Sequence, residues 1–520
     1  MVLEKRLAPS DRTIMDALPV APSPPAAPPR LPDPRAGRPT AVPASSEPAI
    51  TPAPAAGTRE NAPRRNVLVV ASRFPPVASV GATRVRKFVK YLREFGWNPI
   101  VITGATRHGT VTAGDPRRAA DYESLRDLPE DLPIQRLSAV LDHWPSHLAR
   151  ASATRLARFK LLTGLDEHAW SSLLRWRLQG LHDRLAFPDR GIWRLPAVVK
   201  LAIRLHRQYH FDAVFSSGMP FSDHMAGLAI HYVLRRPWLA DFRDPWVEYI
   251  HWQQWRSDWG HRLTRWAEAA VIRKATWVIS VNDHMTDRFV ARYGRCAAGK
   301  CVTIANGFDP ADFPSEVEER PNVRFRLLYA GSLYKTRSPI NVLESFRRFI
   351  QGVPGSREHA KFDFAGRPGP YVGEFNQRAS DGTLEHIGML SHASALREMA
   401  RADVNVVMLP NLPGGENDTT TKLYECLGSG RAVLAVVPAD GAAAKVLRGH
   451  DGVWMCNPDD VDGIARAITD MYRLWLSGNL RPKRSADKLR PHTRRCHAER
   501  LAACLDAAVS SRRQTKGARG

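Results

Sequence analysis

At 520 residues the chain is too long for one ordinary hydrophobic core, so two domains plus tails are expected. A hydrophobic content of 43% with 24% charged residues is normal for a soluble globular protein, and no run of 18 apolar residues provides a membrane span. The formal net charge of +23 predicts an anionic partner: nucleic acid, an acidic bilayer surface or phosphorylated small molecules.

The six cysteines are scattered, with no CxxC pair and no zinc-like Cys/His spacing, so reduced thiols in a cytosolic protein are expected. The segment MVLEKRLAPSDR lacks the continuous apolar stretch of a signal peptide.

Residues 1–65 hold 15 of the 40 prolines, in runs such as APSPPAAPPRLPDP. Proline fixes φ and removes a backbone donor, and few large apolar residues are available to bury, so a disordered Pro/Ala-rich tail is expected. NVLVVAS (66–72) is a continuous β-branched run, as in a parallel strand covered on both faces. After the loop RFPPVASVGATR, the stretch VRKFVKYLREFGW places Val85, Phe88, Val89 and Leu92 at helical spacing. Arg86, Lys87, Lys90 and Arg93 take the other side, and Gly96 suits the helix end. PIVITG (99–104) then completes a βαβ unit, the signature of a doubly wound sheet.

Residues 105–200 are less regular, and 148–200 are rich in Arg, Leu and Trp. FDAVFSSG, PWLADF, WVISVN and KCVTIANGFD read as strands, with FSDHMAGLAIHYVL as a helix. A second alternating series starts at FRLLYAGS (325–332). It continues through KFDFAG, a helix around Ala393 to Ala402, VNVVML, TTTKLYECLGSG and AVLAVV. The break falls near 310–324, in DPADFPSEVEERPN. The expectation is an α/β protein with doubly wound domains at 66–315 and 320–480. A tail at 481–520 holds the helix HAERLAACLDAAV and a basic end; the last 40 residues carry 12 Lys/Arg against 3 Asp/Glu.

Ligands of such sheets bind at the carboxyl ends of the strands. In AGSLYKTRSP, Gly331 and Ser332 offer backbone amides, with Lys335 and Arg337 close behind, an arrangement suited to a diphosphate. An ordinary strand-to-helix turn with solvated basic residues is the alternative. VGATR (80–84) is the equivalent turn of the first domain, where Gly81 permits close approach and Arg84 is a candidate anion ligand. It does not match GxGxxG, which counts against a dinucleotide-dependent oxidoreductase. In TKLYECLGSGRAVLAVV, Leu423 and Leu427 share a helix face and leave Lys422 and Glu425 elsewhere around it. Glu425 can then accept from paired hydroxyls such as those of a ribose, or be a solvated helix residue. PWLADFRDPW (237–246) sets Asp241, Arg243 and Asp244 at a strand end just before a proline. Together they are either a pocket or a buried structural pair.

Taken in order, these pieces resemble the GT-B glycosyltransferases of family 4, also called group 1. The resemblance covers roughly residues 66–505 through NVLVVASRFPPVASVGATRVRKFVKYLREFGW, FSSGMPFSDH, LADFRDPW, VISVN, VTIANGFD, LLYAGSLYK, FDFAGR and TKLYECLGSGRAVLAVV. It implies a GT-B fold, two Rossmann-like domains facing across a cleft. It also implies retaining transfer of a sugar from a nucleotide-diphosphate donor, with the donor on the second domain and the acceptor on the first. In the family's pattern Lys335, with Arg337 as second candidate, neutralises the diphosphate, Glu425 holds the ribose, and Gly81 with Arg84 lies near the donor phosphates. No bound metal and no separate cofactor are implied.

Two departures from the pattern bear on chemistry. Asn417 stands where many members carry a second glutamate, eight positions before Glu425, with Glu416 and Asp418 on either side. Arg243-Asp244 stands where many have His-Asp, and a permanently protonated Arg is no general base. Asp241 or Asp244 is therefore expected to orient the acceptor hydroxyl or donor sugar, with Arg243 fixing those acids or meeting a phosphate. His224 is a further active-site candidate, with capping or packing as the alternative.

Seven of the 14 tryptophans lie between Trp238 and Trp277, and HWQQWRSDWGHRLTRW spaces Trp252, Trp255 and Trp259 at helical intervals. Together with 148–200 this suggests docking on an anionic bilayer at the inner membrane face, with a lipid-linked or saccharide acceptor; tryptophans filling a core are the alternative. Two other classes remain: a basic nucleic-acid-binding protein, against which no RNA-binding or zinc-finger motif appears, and a catalytically inactive GT-B scaffold.

Overall fold

The computed structural model describes residues 64–77, 79–104, 122–137, 186–248, 258–314, 323–378, 382–410 and 418–517. Residues 1–63 of the Pro/Ala-rich tail, most of the Arg/Leu/Trp segment, Trp252, Trp255 and Asn417 lie outside them.

The β-branched runs form two all-parallel sheets. In the first, β1 (Arg65–Val70) pairs with β2 (Trp97–Thr103) on one side and β4 (Ala213–Gly218) on the other. With β3 (Ile134–Arg136), β5 (Trp238–Phe242), β6 (Trp277–Ser280) and β7 (Cys301–Thr303) the order is β3-β2-β1-β4-β5-β6-β7. The second sheet runs β10-β9-β8-β11-β12-β13. Its strands are β8 (Phe325–Ala330), β9 (Ala360–Ala365), β10 (Leu384–Gly388), β11 (Val404–Met408), β12 (Ala432–Val436) and β13 (Val453–Cys456). Each order reverses direction once, between β1 and β4 and between β8 and β11. A crevice opens at the carboxyl ends of such switch points.

Helices cover both faces of each sheet. Against the first sheet, α1 (Val80–Leu92) buries Val85, Phe88 and Val89 on one face. The opposite face receives α2 (Ser222–Leu234) and α3 (Asp258–Lys274), and α4 (Asp283–Tyr293) adds Met285 and Phe289. In the second sheet α5 (His392–Arg401) and α6 (Thr421–Gly428) share a core with Val407, Val433 and Ala435. The last helix, α7 (Arg494–Gly517), returns to the first domain: Leu501, Ala502, Leu505 and Ala508 pack with the α1 face of β1 and β2. Arg65 and the Trp97 indole both bind Asp506, at 2.8 and 3.1 Å, and fix its register. The chain crosses between domains twice side by side, where Phe308 and Thr493 form a parallel bridge.

The basic residues of α1 are largely turned into the protein: Arg84 and Lys87 are each 1% exposed and Arg86 is buried too. Lys87 Nζ lies 2.5 Å from Asp127, 2.6 Å from Asp309 and 2.5 Å from Asp312, and Lys90 binds Asp309 at 3.0 Å. The acidic stretch after β7 neutralises the helix's cations. The three carboxylates have the spacing of a metal cage, but the Lys87 ammonium already sits among them.

Candidate functional site

At the first switch point, the question raised by PWLADFRDPW has a structural answer. Asp241, fully buried at the end of β5, accepts from Arg84 Nη2 at 2.8 Å, from Arg84 Nε and from the Ser217 hydroxyl at 2.7 Å. Burial opposes its charge, but Arg84 and Ser217 hold its carboxyl below the usual range. The rest of the Arg84 guanidinium donates to the carbonyls of Ile304 and Ala305 at 2.7 and 2.8 Å. Both charges are therefore satisfied internally. This corrects two expectations: Arg84 does not reach an anion in the crevice, and Asp241 does not present itself to a substrate.

Arg243 lies across the crevice edge. Its Nε donates to the Gly218 carbonyl at 2.8 Å and one Nη to the Met219 carbonyl. Its other terminal nitrogen rests against Gly81, where an added Cβ would come within 1.2 Å. Gly81 thus makes room for a cation from β5. Asp244 is half-buried, and no hydrogen bond reaches it among the described residues. Burial raises its pKa, against the opposing pull of Arg243 and Arg73. Of the two acids, Asp244 keeps free acceptor capacity.

His224 is fully buried between Phe221 and Phe242, with Nδ1 bonded to the Ser216 hydroxyl at 2.9 Å. Burial lowers its pKa to about 3, so it is neutral and closed to solvent, a packing residue. The catalytic expectation for it is not met. Beside it stands Asp223, missed in the sequence although it lies in FSDH. It accepts from the Ser72 amide at 2.7 Å and the Ser72 hydroxyl at 2.5 Å, tying β1 to α2 at the switch point, and burial raises it to about 6. Glu268, also missed, accepts from the Val247 amide at 2.9 Å and fixes the loop after Pro245.

The second switch point is built differently. The Gly331 amide donates to the Ala365 carbonyl at 2.7 Å, so it is not available to a phosphate. An added Cβ would meet Lys422 Cε at 2.1 Å; the glycine makes room for the lysine, as Gly81 does for Arg243. Ser332 follows, half-buried. Lys422, at the start of α6, has no hydrogen bond to its ammonium among the described residues; burial and Arg337 lower its pKa, while Glu425 raises it. Arg337 is half-buried, and its Nε is without a partner. Lys335 is exposed, whereas Lys422 and Arg337 are half-buried close to one another at this edge.

Glu425 lies three residues on from Lys422, and its Oε1 is 2.8 Å from His392 Nε2. Burial disfavours its charge, but His392, Lys422 and Arg494 outweigh that and lower its pKa. Arg494, which opens α7, is buried, bonds Asn306 at 3.4 Å and keeps one Nη unpartnered; burial lowers it to about 10. Neither His392 nor Arg494 carried a local motif that singled it out. Together with Thr83, Lys87, Asp309, Asp312 and Glu425 they line a narrow crevice between the two sheets' domains. Lys422 and Arg337, with donors unused beside the oriented Glu425 carboxylate, can bind a group carrying phosphates and vicinal hydroxyls.

Residues 147–312 match the family model of Glycosyltransferase Family 4. Among curated protein sequences nothing matches the chain. Solved structures match over most of their length. Sucrose-phosphate synthase from Thermosynechococcus elongatus is 14% identical, with 87% of this chain and 98% of that chain covered and a TM-score of 0.50. A UDP-forming α,α-trehalose-phosphate synthase from Burkholderia xenovorans, in complex with glucose-6-phosphate, is 12% identical over 85% and 100%, with a TM-score of 0.51. A chain assigned as UDP-N-acetylglucosamine 2-epimerase from Listeria monocytogenes is 11% identical over 86% and 97%, also with a TM-score of 0.51. Such likeness establishes the GT-B architecture of two Rossmann-like domains; the fold by itself serves more than one chemistry.

Proposed function

We propose, from the premise that this chain is a GT-B glycosyltransferase of the family 4 type, that it moves a sugar with retention from a nucleotide-diphosphate sugar to a lipid-linked or saccharide acceptor. The observation that carries the reading is the open cluster of Lys422, Arg337 and Glu425 at the β8/β11 switch point. Lys422 and Arg337 neutralise the diphosphate, and Glu425 accepts from the ribose hydroxyls. The acceptor lies on the first domain near Asp244 and Arg243. As the C1–O bond to the phosphate breaks, the acceptor oxygen bonds C1 on the same face and passes its proton to the departing phosphate oxygen. No protein base is required, which is consistent with an arginine at 243 and a buried, neutral His224.

Metal-independent transfer is part of this proposal, since Lys422 and Arg337 supply the cationic charge at the phosphates. A peripheral position at a membrane is supported by Trp259 and Trp266, 71% and 59% exposed on α3 beside the exposed Arg262 and Arg265. The tryptophan cluster is divided, because Trp238 and Trp246 are fully buried. Among the described residues no helix is long and apolar enough to cross a membrane.

The test is release of nucleoside diphosphate from UDP-, GDP- and ADP-sugars, with and without a membrane lipid extract. Release from one donor, stimulated by lipid and lost in Glu425→Ala and Lys422→Ala, is expected. No release and no donor binding from the whole panel would overturn the proposal.

A further inference from the structure

His392 has no assigned task, and its place in the chain is a costly one. Ser391 caps α5, its hydroxyl accepting from the Ser394 amide at 3.1 Å, which makes His392 the first helical residue. The partial positive charge of a helix N-terminus disfavours a cation there, and burial disfavours it further. Nevertheless the His392 pKa is raised: against burial and Arg86, the hydrogen bond and charge of Glu425, with Asp312 behind it, keep the ring protonated more readily than a free imidazole. One contact, 2.8 Å from Nε2 to Glu425 Oε1, outweighs the unfavourable setting.

That contact determines what Glu425 can do. A carboxylate on a short helix has two oxygens and a free rotor. With Oε1 held from α5, the plane of the group is fixed and Oε2 is left for another donor. No second hydrogen bond reaches the Glu425 carboxylate among the described residues, and the side chain keeps 13% of its exposure, on the crevice that His392 also lines.

We propose that His392 is a positioning residue, which locks the Glu425 carboxylate so that its second oxygen accepts from the ribose of a bound nucleoside diphosphate. This rests on the ribose reading of Glu425. It makes ribose recognition a product of two helices of the second domain, α5 and α6, rather than of one side chain.

The experiment uses the full chain and isothermal titration with UDP, GDP and ADP. The tightest binder is then compared with its 2′,3′-dideoxy counterpart. Wild type is expected to prefer the ribonucleotide by about 10- to 100-fold, the range of a charge-assisted hydrogen bond. His392→Ala should lose most of that preference, about tenfold or more, while keeping its affinity for the dideoxy compound. His392→Gln, whose amide nitrogen reaches the place of Nε2, should regain it, and His392→Asn, which is too short, should not. Equal weakening toward both ligands in the Ala and Asn variants would mean a structural tie between α5 and α6, and would overturn the proposal. So would an unchanged preference. Glu425→Ala separates this failure from that of its premise. If that variant keeps the ribose preference, or wild type shows none, the ribose reading itself falls. If Glu425→Ala loses it and His392→Ala and His392→Asn keep it, only the positioning role is lost.

Discussion

The two switch points use the same device to opposite ends. In each, a glycine leaves space for a cation from another element: Gly81, at the start of α1, for Arg243, and Gly331, just past β8, for Lys422. In the first domain most of the charge around that cation is satisfied from within, with Arg84 against Asp241 and Arg243 against two carbonyls, and Asp244 is the acid that keeps acceptor capacity. In the second, Lys422 and Arg337 keep donors to spare, and Glu425 keeps an oxygen. A charged residue at a strand end is therefore no sign of a ligand site by itself; the sign is a charge whose valences the fold has left open.

The largest consequence falls on the satisfied side. Arg84→Ala strands a fully buried carboxylate and should destabilise folding by about 3–5 kcal/mol in urea titration. Replacing both partners, Arg84→Met with Asp241→Leu, should cost less than the single change. If Arg84→Ala folds like wild type but loses nucleotide, the contrast between the two edges is wrong.

On the open side the effects are on binding. Lys422→Ala should weaken nucleoside diphosphate by about 10- to 100-fold while shifting stability by less than about 1 kcal/mol. Gly331→Ala, which pushes the lysine off its place, should follow it in direction. Calorimetry and urea titration of the same samples separate the two effects.

A third prediction uses pH. The folded-state pKa of Asp223 is raised to about 6 from 3.8, so in the folded state its carboxyl holds a proton that the unfolded chain has released. Its contribution to stability therefore falls as pH rises from about 4 to about 6 and is level above that. Asp223→Asn lacks this loss, so relative to wild type it should gain on the order of 2–3 kcal/mol between pH 4 and pH 7. A difference that does not change with pH would show that Asp223 is charged at both ends of the range.

The smallest effect is expected at Lys335. An exposed ammonium acts through screened, solvated charge, and Lys335→Ala should change nucleoside diphosphate affinity by less than about threefold. A loss equal to that of Lys422→Ala would restore Lys335 as a principal phosphate ligand.

Much of the architecture was legible because its strands are long, β-branched and buried on both faces: NVLVVAS, PWLADF, FRLLYAGS and AVLAVV need no partner to be recognised. The short edge strands β3, β10 and β13 were not read, since edges carry less apolar signal. At the second switch point, Glu425, Lys422 and Arg337 were named as candidates through local pattern, and the structure brings the three together. Arg84, Lys87 and His392 were misread or missed because their meaning depends on residues 157, 222 and 33 positions away. A clue was present: Arg84, Lys87 and Tyr91 follow one another at helical spacing, and the acidic DPAD after β7 supplies the opposite charge. Only the topology, which carries the chain from β7 past α1, joins the two.

Helix α7 carries a consequence for how the chain reaches its native state. Leu501, Leu505 and Asp506 complete the core of the first domain, yet they follow the whole of the second in the chain. During synthesis the second domain has emerged and can fold as a unit while the first still lacks part of the helical layer that α1 begins. The domain that begins first is finished last.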